Sequence, residues 1–228
     1  NGDTLWEGIQ YDITATKARE EALDHIAHYD ALTGLPNRML LADRLHQAIA
    51  QSKRSHTSLA VCYLDLDGFK PVNDNLGHGA GDTVLMEVAR RLLAAVRGGD
   101  TVARIGGDEF VLLLSGMSRM DEFETTLGRL LDAINAPIAI DIHVVSVSAS
   151  IGIALYPKDA ADPDILLRHA DHAMYQAKQA GRNKFIFFDA LLEDAARRHR
   201  EQLRQIETGL ERGEFELHYQ PKVNMRLG

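Results

Sequence analysis

Val102-Ala103-Arg104-Ile105-Gly106-Gly107-Asp108-Glu109-Phe110-Val111-Leu112-Leu113-Leu114 is a pair of short apolar runs parted by two glycines. Val102 to Ile105 and Phe110 to Leu114 have the length and composition of strands. A Gly-Gly pair between such runs suits a tight hairpin, whose turn residues need positive φ. The tip of that hairpin is exposed by construction, and the two residues after the glycines, Asp108 and Glu109, are both acids. Upstream, Ser58 to Asp65 places Leu59, Val61 and Tyr63 on one face and Ala60, Cys62 and Leu64 on the other. With both faces apolar, this strand is central and covered by helices. Downstream, Val145, Val147, Ala149, Ile151 and Ile153 alternate with Ser146, Ser148, Ser150 and Gly152, which predicts a half-buried strand. Lys184 to Phe188 is a last short strand.

Helices fill the intervals. One runs roughly from Met39 to Ser52, and another buries Leu85, Val88, Leu92 and Ala95. A third spans Met120 to Ile134. A fourth opens on Asp162-Pro163, an N-cap and a first-turn proline, and stops at Gly181. Hairpins mixed with crossover helices make the class α/β, with a mixed central sheet flanked by helices.

The 228 residues suffice for one domain with pieces of its neighbours. Hydrophobic and charged fractions of 45% and 25% are those of an ordinary globular chain. A net charge of −8 argues against a general nucleic-acid binder, which needs a basic face. An anionic ligand stays open, because a metal or a few placed cations can invert the local field. The single cysteine, Cys62, lies in an apolar run and reads as a core residue of a reducing, cytoplasmic compartment. No apolar stretch is long enough to span a bilayer.

At the ends the pattern changes. Leu5 to Ile13 alternates loosely as a strand, Thr14 is a candidate N-cap, and Ala15 to Tyr29 is a charged helix without Gly or Pro. From Asp189 to about Arg212 a second charged helix follows. The chain opens on Asn1 and closes on Gly228, so it reads as a piece of something longer, whose parent could carry a membrane anchor upstream.

The chemistry gathers at acids. Asp65-Leu66-Asp67-Gly68-Phe69-Lys70 sits where the central strand ends, the end at which open α/β sheets collect ligands. Asp65 continues the Leu59-Val61-Tyr63 face, and Asp67 points the same way if the strand persists. Alone, the two would be ordinary loop acids. Together with Asp108 and Glu109 on a separate strand, they suit a divalent cation holding a triphosphate. Mg²⁺ commonly takes one or two carboxylates plus phosphate oxygens.

Arg104-Ile105-Gly106-Gly107-Asp108-Glu109-Phe110 contains the GGDEF signature letter for letter, and the chain resembles diguanylate cyclase domains. Asp30 to Arg38, reading DALTGLPNR, resembles the family's opening segment. Asp65 to Asp82, reading DLDGFKPVNDNLGHGAGD, resembles its metal- and guanine-binding stretch. Ala170 to Asn183, reading ADHAMYQAKQAGRN, resembles its phosphate-binding helix end. The likeness covers residues 30–189. Leu5 to Thr14 looks like the last strand of a PAS sensor domain (1–14), followed by a signalling helix over 15–29. After a linker helix over 190–213, Phe215 to Val223 looks like the first strand of an EAL phosphodiesterase domain (214–228) whose EAL motif is absent.

The resemblance implies a cyclase-type, polymerase-palm-like fold and one reaction, two GTP giving cyclic di-GMP and two pyrophosphates. It implies Asp65 and Asp108 as ligands of Mg²⁺ (or Mn²⁺), with the Leu66 carbonyl as a third. Asp108 and Glu109 are the catalytic acids, Glu109 either as a further metal ligand or in activating the ribose 3′-hydroxyl. Asn73 and Asp82 match the guanine contacts, with His78 between them. Lys178 and Arg182, one helical turn apart, match the phosphate contacts, and Lys70 joins them. Read alone, Asp82 would be a first-turn helix acid, and Lys178 with Arg182 would be cations favoured at a helix end. Gly106 and Gly107 allow both the turn and a close nucleotide approach. Arg97-Gly98-Gly99-Asp100 stands where the family keeps an inhibitory product site, with Arg97 contacting cyclic di-GMP and Asp100 supporting it. One domain supplies one set of acids, so catalysis needs a homodimer. The rival readings are a GTP-binding module that regulates an adjoining phosphodiesterase, and a cyclic di-GMP receptor.

Overall fold

Ser58–Asp67 forms a ten-residue strand, β1, buried along nearly all its length. Its two-faced apolar composition fits only a strand with cover on both sides, and it is the middle strand of five. The structure, a computed structural model, describes residues 25–117, 119–190 and 204–216, with Thr14, Lys17 and Leu23. Along the chain come α1 (Arg38–Ser55), β1, α2 (Phe69–Leu76), α3 (His78–Ala95), β2 (Thr101–Gly106), β3 (Glu109–Met117) and α4 (Met120–Asn135). Then follow β4 (Ile138–Ile140), β5 (His143–Val145), β6 (Ser148–Tyr156), α5 (Pro163–Gln179) and β7 (Lys184–Phe187). The sheet order is β2-β3-β1-β6-β7, antiparallel except for the parallel pair β6 and β7. This is the mixed, helix-flanked sheet that the sequence predicts.

One face of the sheet, with Cys62, Leu64 and Phe110, packs on Val84, Val88 and Leu92 of α3 and Leu127 and Leu130 of α4. The opposite face, with Leu59, Val61 and Val111, packs on Leu41 and Leu45 of α1 and on Leu166, Ala170 and Ala173 of α5. Each fully buried side chain of this kind contributes roughly 1.5–3 kcal/mol. Cys62 lies wholly inside, and burial pushes its thiol pKa up, the condition of an unreactive core residue.

Helix ends follow their local chemistry. Asn37 caps α1 by accepting from the Met39 and Leu40 amides, and Asp162 caps α5 by accepting from Ile165. Arg91 of α3 donates to the Ala133, Ile134, Ala136 and Pro137 carbonyls, satisfying the end of α4.

Several expectations need correction. β1 runs through Asp67, two residues past Asp65. The strand expected from Val145 to Ile153 is two strands. Val145 belongs to a small hairpin, β4 with β5, too short to show a period. β6 is covered on both faces, with Ser150 completely buried. At the flanks, residues 25–28 and 204–211 are helical. The second stretch falls in a separate unit that starts at Asp189. The PAS-like end at 1–14 lies outside the described residues except for Thr14. The EAL-like strand at 214–228 does so except for residues 214–216, which carry no strand. Among the described residues no helix is long and apolar enough to cross a membrane.

Candidate active site

The site grows from the end of β1 and the tip of the β2–β3 hairpin. Asp65 is paired directly with Glu109 across β1 and β3, so the two side chains share the face that looks toward α5. Lys178, near the end of α5, reaches down to that face, and its Nζ lies 2.7 Å from Asp65 Oδ2. Burial, followed by the negative charges of Asp108 and Asp67, pushes the Asp65 pKa above the usual carboxylate range despite the hydrogen bond from Lys178. A carboxyl raised by burial and acidic neighbours is one that an added cation would stabilise.

The hairpin holds Asp108 against β1, because the Leu66 amide donates to the Asp108 carbonyl at 3.2 Å. The turn requires glycine for its backbone: Gly106 has φ 151° and Gly107 φ 50°. Space within the chain does not require it, since a Cβ at either position meets nothing within 4 Å. Arg104 braces the tip, its Nε and Nη2 donating to the Gly107 carbonyl at 3.0 and 2.8 Å. Its Nη1 donates to both oxygens of Asp30, at 2.9 and 3.0 Å. Asp30 also accepts from the Thr33 amide and hydroxyl, closing the turn of the opening segment. Burial works to raise the Asp30 pKa, but the Thr33 and Arg104 hydrogen bonds outweigh it and hold the carboxyl below its ordinary value.

Glu109 is half-buried, and its Oε2 accepts from the Tyr63 hydroxyl at 3.2 Å. Burial, then the charges of Glu109 and Asp171, raise the Tyr63 pKa, so the phenol stays a donor. Among the described residues no three His, Cys, Asp or Glu side chains gather into a cation cage. Glu109 stands directly across from Asp65 in the sheet and is held there by Tyr63. Asp65 and Asp108 carboxylates with the Leu66 main chain are hard oxygen donors of the kind Mg²⁺ takes when phosphates complete its shell.

Asn73 of α2 lies against Gly81 of α3, so closely that a Cβ on Gly81 would overlap the Asn73 amide oxygen. Asp82, the residue after Gly81, is exposed. Asp82 is the fifth residue of α3, not a first-turn acid, so the helix dipole does not account for it. His78 opens α3 and Lys70 lies in the first turn of α2; both are exposed. Arg182 is off the helix. α5 ends at Gln179, and Arg182 adopts φ 57° in the following turn, with its Nε 3.8 Å from Asp67 Oδ1. At the other end of the hairpin, Asp100 accepts from the Arg97 amide at 2.9 Å and the Ser115 amide at 3.0 Å, while the Arg97 side chain is exposed. A cavity of about 450 Å³ beside them is lined by Arg44, Gln51, Gly98, Gly99, Asp100 and Ser115.

The family described as "Diguanylate cyclase, GGDEF domain" matches residues 27–184. The chain belongs to that family. MucR of Pseudomonas aeruginosa, a bifunctional diguanylate cyclase/cyclic di-GMP phosphodiesterase, is 48% identical over 210 residues, covering 92% of this chain and 30% of MucR. The chain thus spans less than a third of that relative. Among solved structures, the GGDEF domain of TpbB from Pseudomonas aeruginosa is 42% identical with a TM-score of 0.69, covering 71% of this chain and 95% of that one. The coiled coil and GGDEF domain of DgcB from Caulobacter crescentus, solved with c-di-GMP, also has a TM-score of 0.69, at 26% identity, over 77% of this chain and 93% of that one.

Sequence reasoning did not find the Arg104–Asp30 brace, the Tyr63–Glu109 bond, or the partners of Asp67. As a GGDEF domain the chain advertises its acids, but these supports join distant residues whose types have ordinary structural uses. Alternating serines opposite an acid-bearing strand were the one available signal for Asp67.

Proposed function

We propose that this GGDEF domain is a diguanylate cyclase that condenses two GTP into cyclic di-GMP. The observation that carries the reading is the meeting of Asp65, Asp108 and Lys178 where β1 ends beside the hairpin. Each ribose 3′-oxygen attacks the other nucleotide's α-phosphorus. The bond to the β-phosphate breaks, and two pyrophosphates leave. Asp65, Asp108 and the Leu66 carbonyl, with Glu109 as the further candidate ligand, would hold Mg²⁺ or Mn²⁺. The cation supplies charge neutralisation for the triphosphate and acidifies the attacking hydroxyl. Lys178, Arg182 and Lys70 bind phosphate oxygens. Glu109, oriented by Tyr63, faces the attacking hydroxyl. Asn73, His78 and Asp82 read guanine, with Asp82 accepting from N1–H and the exocyclic amine that adenine cannot offer. Two copies of the domain, set face to face by their neighbouring helices, each present one GTP to the other. Sensor and phosphodiesterase domains accompany it in a cytoplasmic parent protein.

Incubating the chain with GTP and Mg²⁺ and separating the products by chromatography tests this. Cyclic di-GMP and pyrophosphate are expected, with specific activity rising with protein concentration until dimers saturate. Bound but unchanged GTP would instead assign a regulatory module, and binding of cyclic di-GMP without GTP a receptor.

The product also regulates. Arg97, exposed beside the cavity that Asp100 and Arg44 line, is suited to hold a phosphate and stack on guanine. Arg97→Ala should raise the inhibition constant for cyclic di-GMP roughly ten- to a hundred-fold, the worth of one charge-assisted contact. The initial rate in product-free solution should stay at the wild-type value. Superimposable inhibition curves would remove the site from the scheme.

A further inference from the structure

Asp67 is a buried acid for which the reaction above has no use. It is 8% exposed, on the same face of β1 as Asp65, and it lies among donors. Ser150 Oγ is 2.9 and 3.1 Å from its two oxygens, and Ser148 Oγ donates to Oδ2 at 3.1 Å. The Asn183 amide also donates to Oδ2, at 3.1 Å, and Arg182 Nε stands 3.8 Å from Oδ1. We propose that Asp67 is a positioning residue: it fixes the turn after α5, and through that turn it sets Lys178 and Arg182 to receive a triphosphate. This rests on reading those two cations as phosphate contacts.

The turn needs such a tie. Gly181, Arg182 and Asn183 follow one another at φ 104°, 57° and 47°. Arg182 carries a side chain that disfavours the left-handed region, and three positive-φ residues in succession persist only where their surroundings over-determine them. Two backbone bonds anchor it. The Arg182 amide reaches back to the Ala177 carbonyl at 3.0 Å, and the Asn183 amide goes to Asp67. The next residue, Lys184, opens β7 in register with Ser150, the same serine that donates to Asp67. The carboxylate thus ties the end of β1, the start of β6 and the start of β7 to the turn that carries Arg182. A carboxylate suits the place because it only accepts, and each group hydrogen-bonded to it donates. Alternate acids of β1 then have separate tasks, Asp65 facing Lys178 and the cation, Asp67 holding the turn behind them.

The test uses 3′-deoxy-GTP, which binds through base and triphosphate but cannot cyclise, and GMP, which lacks the β- and γ-phosphates. Affinities of the whole chain are measured by calorimetry with Mg²⁺, with GMP as a competitor. Asp67→Ala should weaken 3′-deoxy-GTP roughly ten-fold or more, the worth of a charge-assisted hydrogen bond, and leave GMP within about two-fold. Ser150→Ala removes one donor to the carboxylate and touches no proposed ligand contact; it should show a smaller loss with the same preference for the triphosphate. Unchanged affinity for 3′-deoxy-GTP, or equal losses for both nucleotides, would overturn the proposal. Lys178→Ala and Arg182→Ala separate the two levels. If they retain wild-type affinity for 3′-deoxy-GTP, the phosphate reading itself falls. If they lose it while Asp67→Ala does not, only the role of Asp67 falls.

Discussion

Asp65→Asn is expected to lower cyclic di-GMP formation by at least about a hundred-fold, because cation stabilisation of the reacting phosphates is worth several kcal/mol. The amide preserves the shape of the side chain but removes the charge that Lys178 pairs with at 2.7 Å and that the proposed cation would need. Asp108→Asn should fall comparably. The fold should not suffer. Asp65 has its pKa raised, first by burial and then by Asp108 and Asp67. A carboxyl whose folded pKa lies above its unfolded value contributes stability below the unfolded pKa and loses that contribution as pH rises through the folded one. At neutral pH the ionised group is therefore a burden on the folded state, and Asn relieves it. The melting temperature of Asp65→Asn should equal or exceed the wild type's at pH 7, with the gain shrinking toward acid pH. Product assays and thermal melts on one preparation check both halves. Cyclisation within ten-fold of wild type would remove Asp65 from the metal site.

Gly152→Ala should do the reverse, damaging the fold and the site through it. A Cβ built on Gly152 would overlap the Ala170 carbonyl oxygen and the Met174 amide nitrogen. These are backbone atoms of α5, so no rotamer change can clear them. The helix must lift from β6, which opens the layer holding Val61, Ala154, Ala170 and Ala173. Overpacking of this kind costs about 1–3 kcal/mol and occasionally more. Because all three nearest atoms are α5 backbone, Gly152 sits at the upper end, a fall of roughly 6–12 °C in Tm for a domain of this size. Because Lys178 rides on the same helix, the folded fraction should also lose activity beyond what the melt explains. A Tm within 2 °C of wild type would show that α5 has slack.

The centre of the sheet was legible because Leu59 to Leu64 is apolar on both faces, a pattern with one structural meaning. The hairpin was legible because its glycines need positive φ and its acids follow at once. β6 was misjudged on its serines. A hydroxyl that donates to a buried carboxylate and one that faces water are the same letter, and only Asp67 across the sheet decides between them. The spacing of Lys178 and Arg182 imitates a helical turn, yet Gly181 between them already ends the helix and sends Arg182 into the left-handed region. Asp65 and Lys178 meet only through the crossover of α5 over β6, which spacing does not encode. The family motif named them, and the fold supplies the 2.7 Å.

The pairing of Asp65 with Glu109 and of Leu64 with Phe110 also bears on how the chain assembles. If β3 slipped by one residue against β1, every side chain would change face. Glu109 would then enter the layer of Cys62 and Leu64, and Phe110 would turn to the opposite face, which packs on α1 and α5. An unpaired carboxylate in that layer carries a large desolvation penalty. A run such as Phe110 to Leu114, apolar throughout, has little else to reject the wrong alignment. The acid at its start therefore penalises the slipped alignment, a task separate from any chemistry at the site.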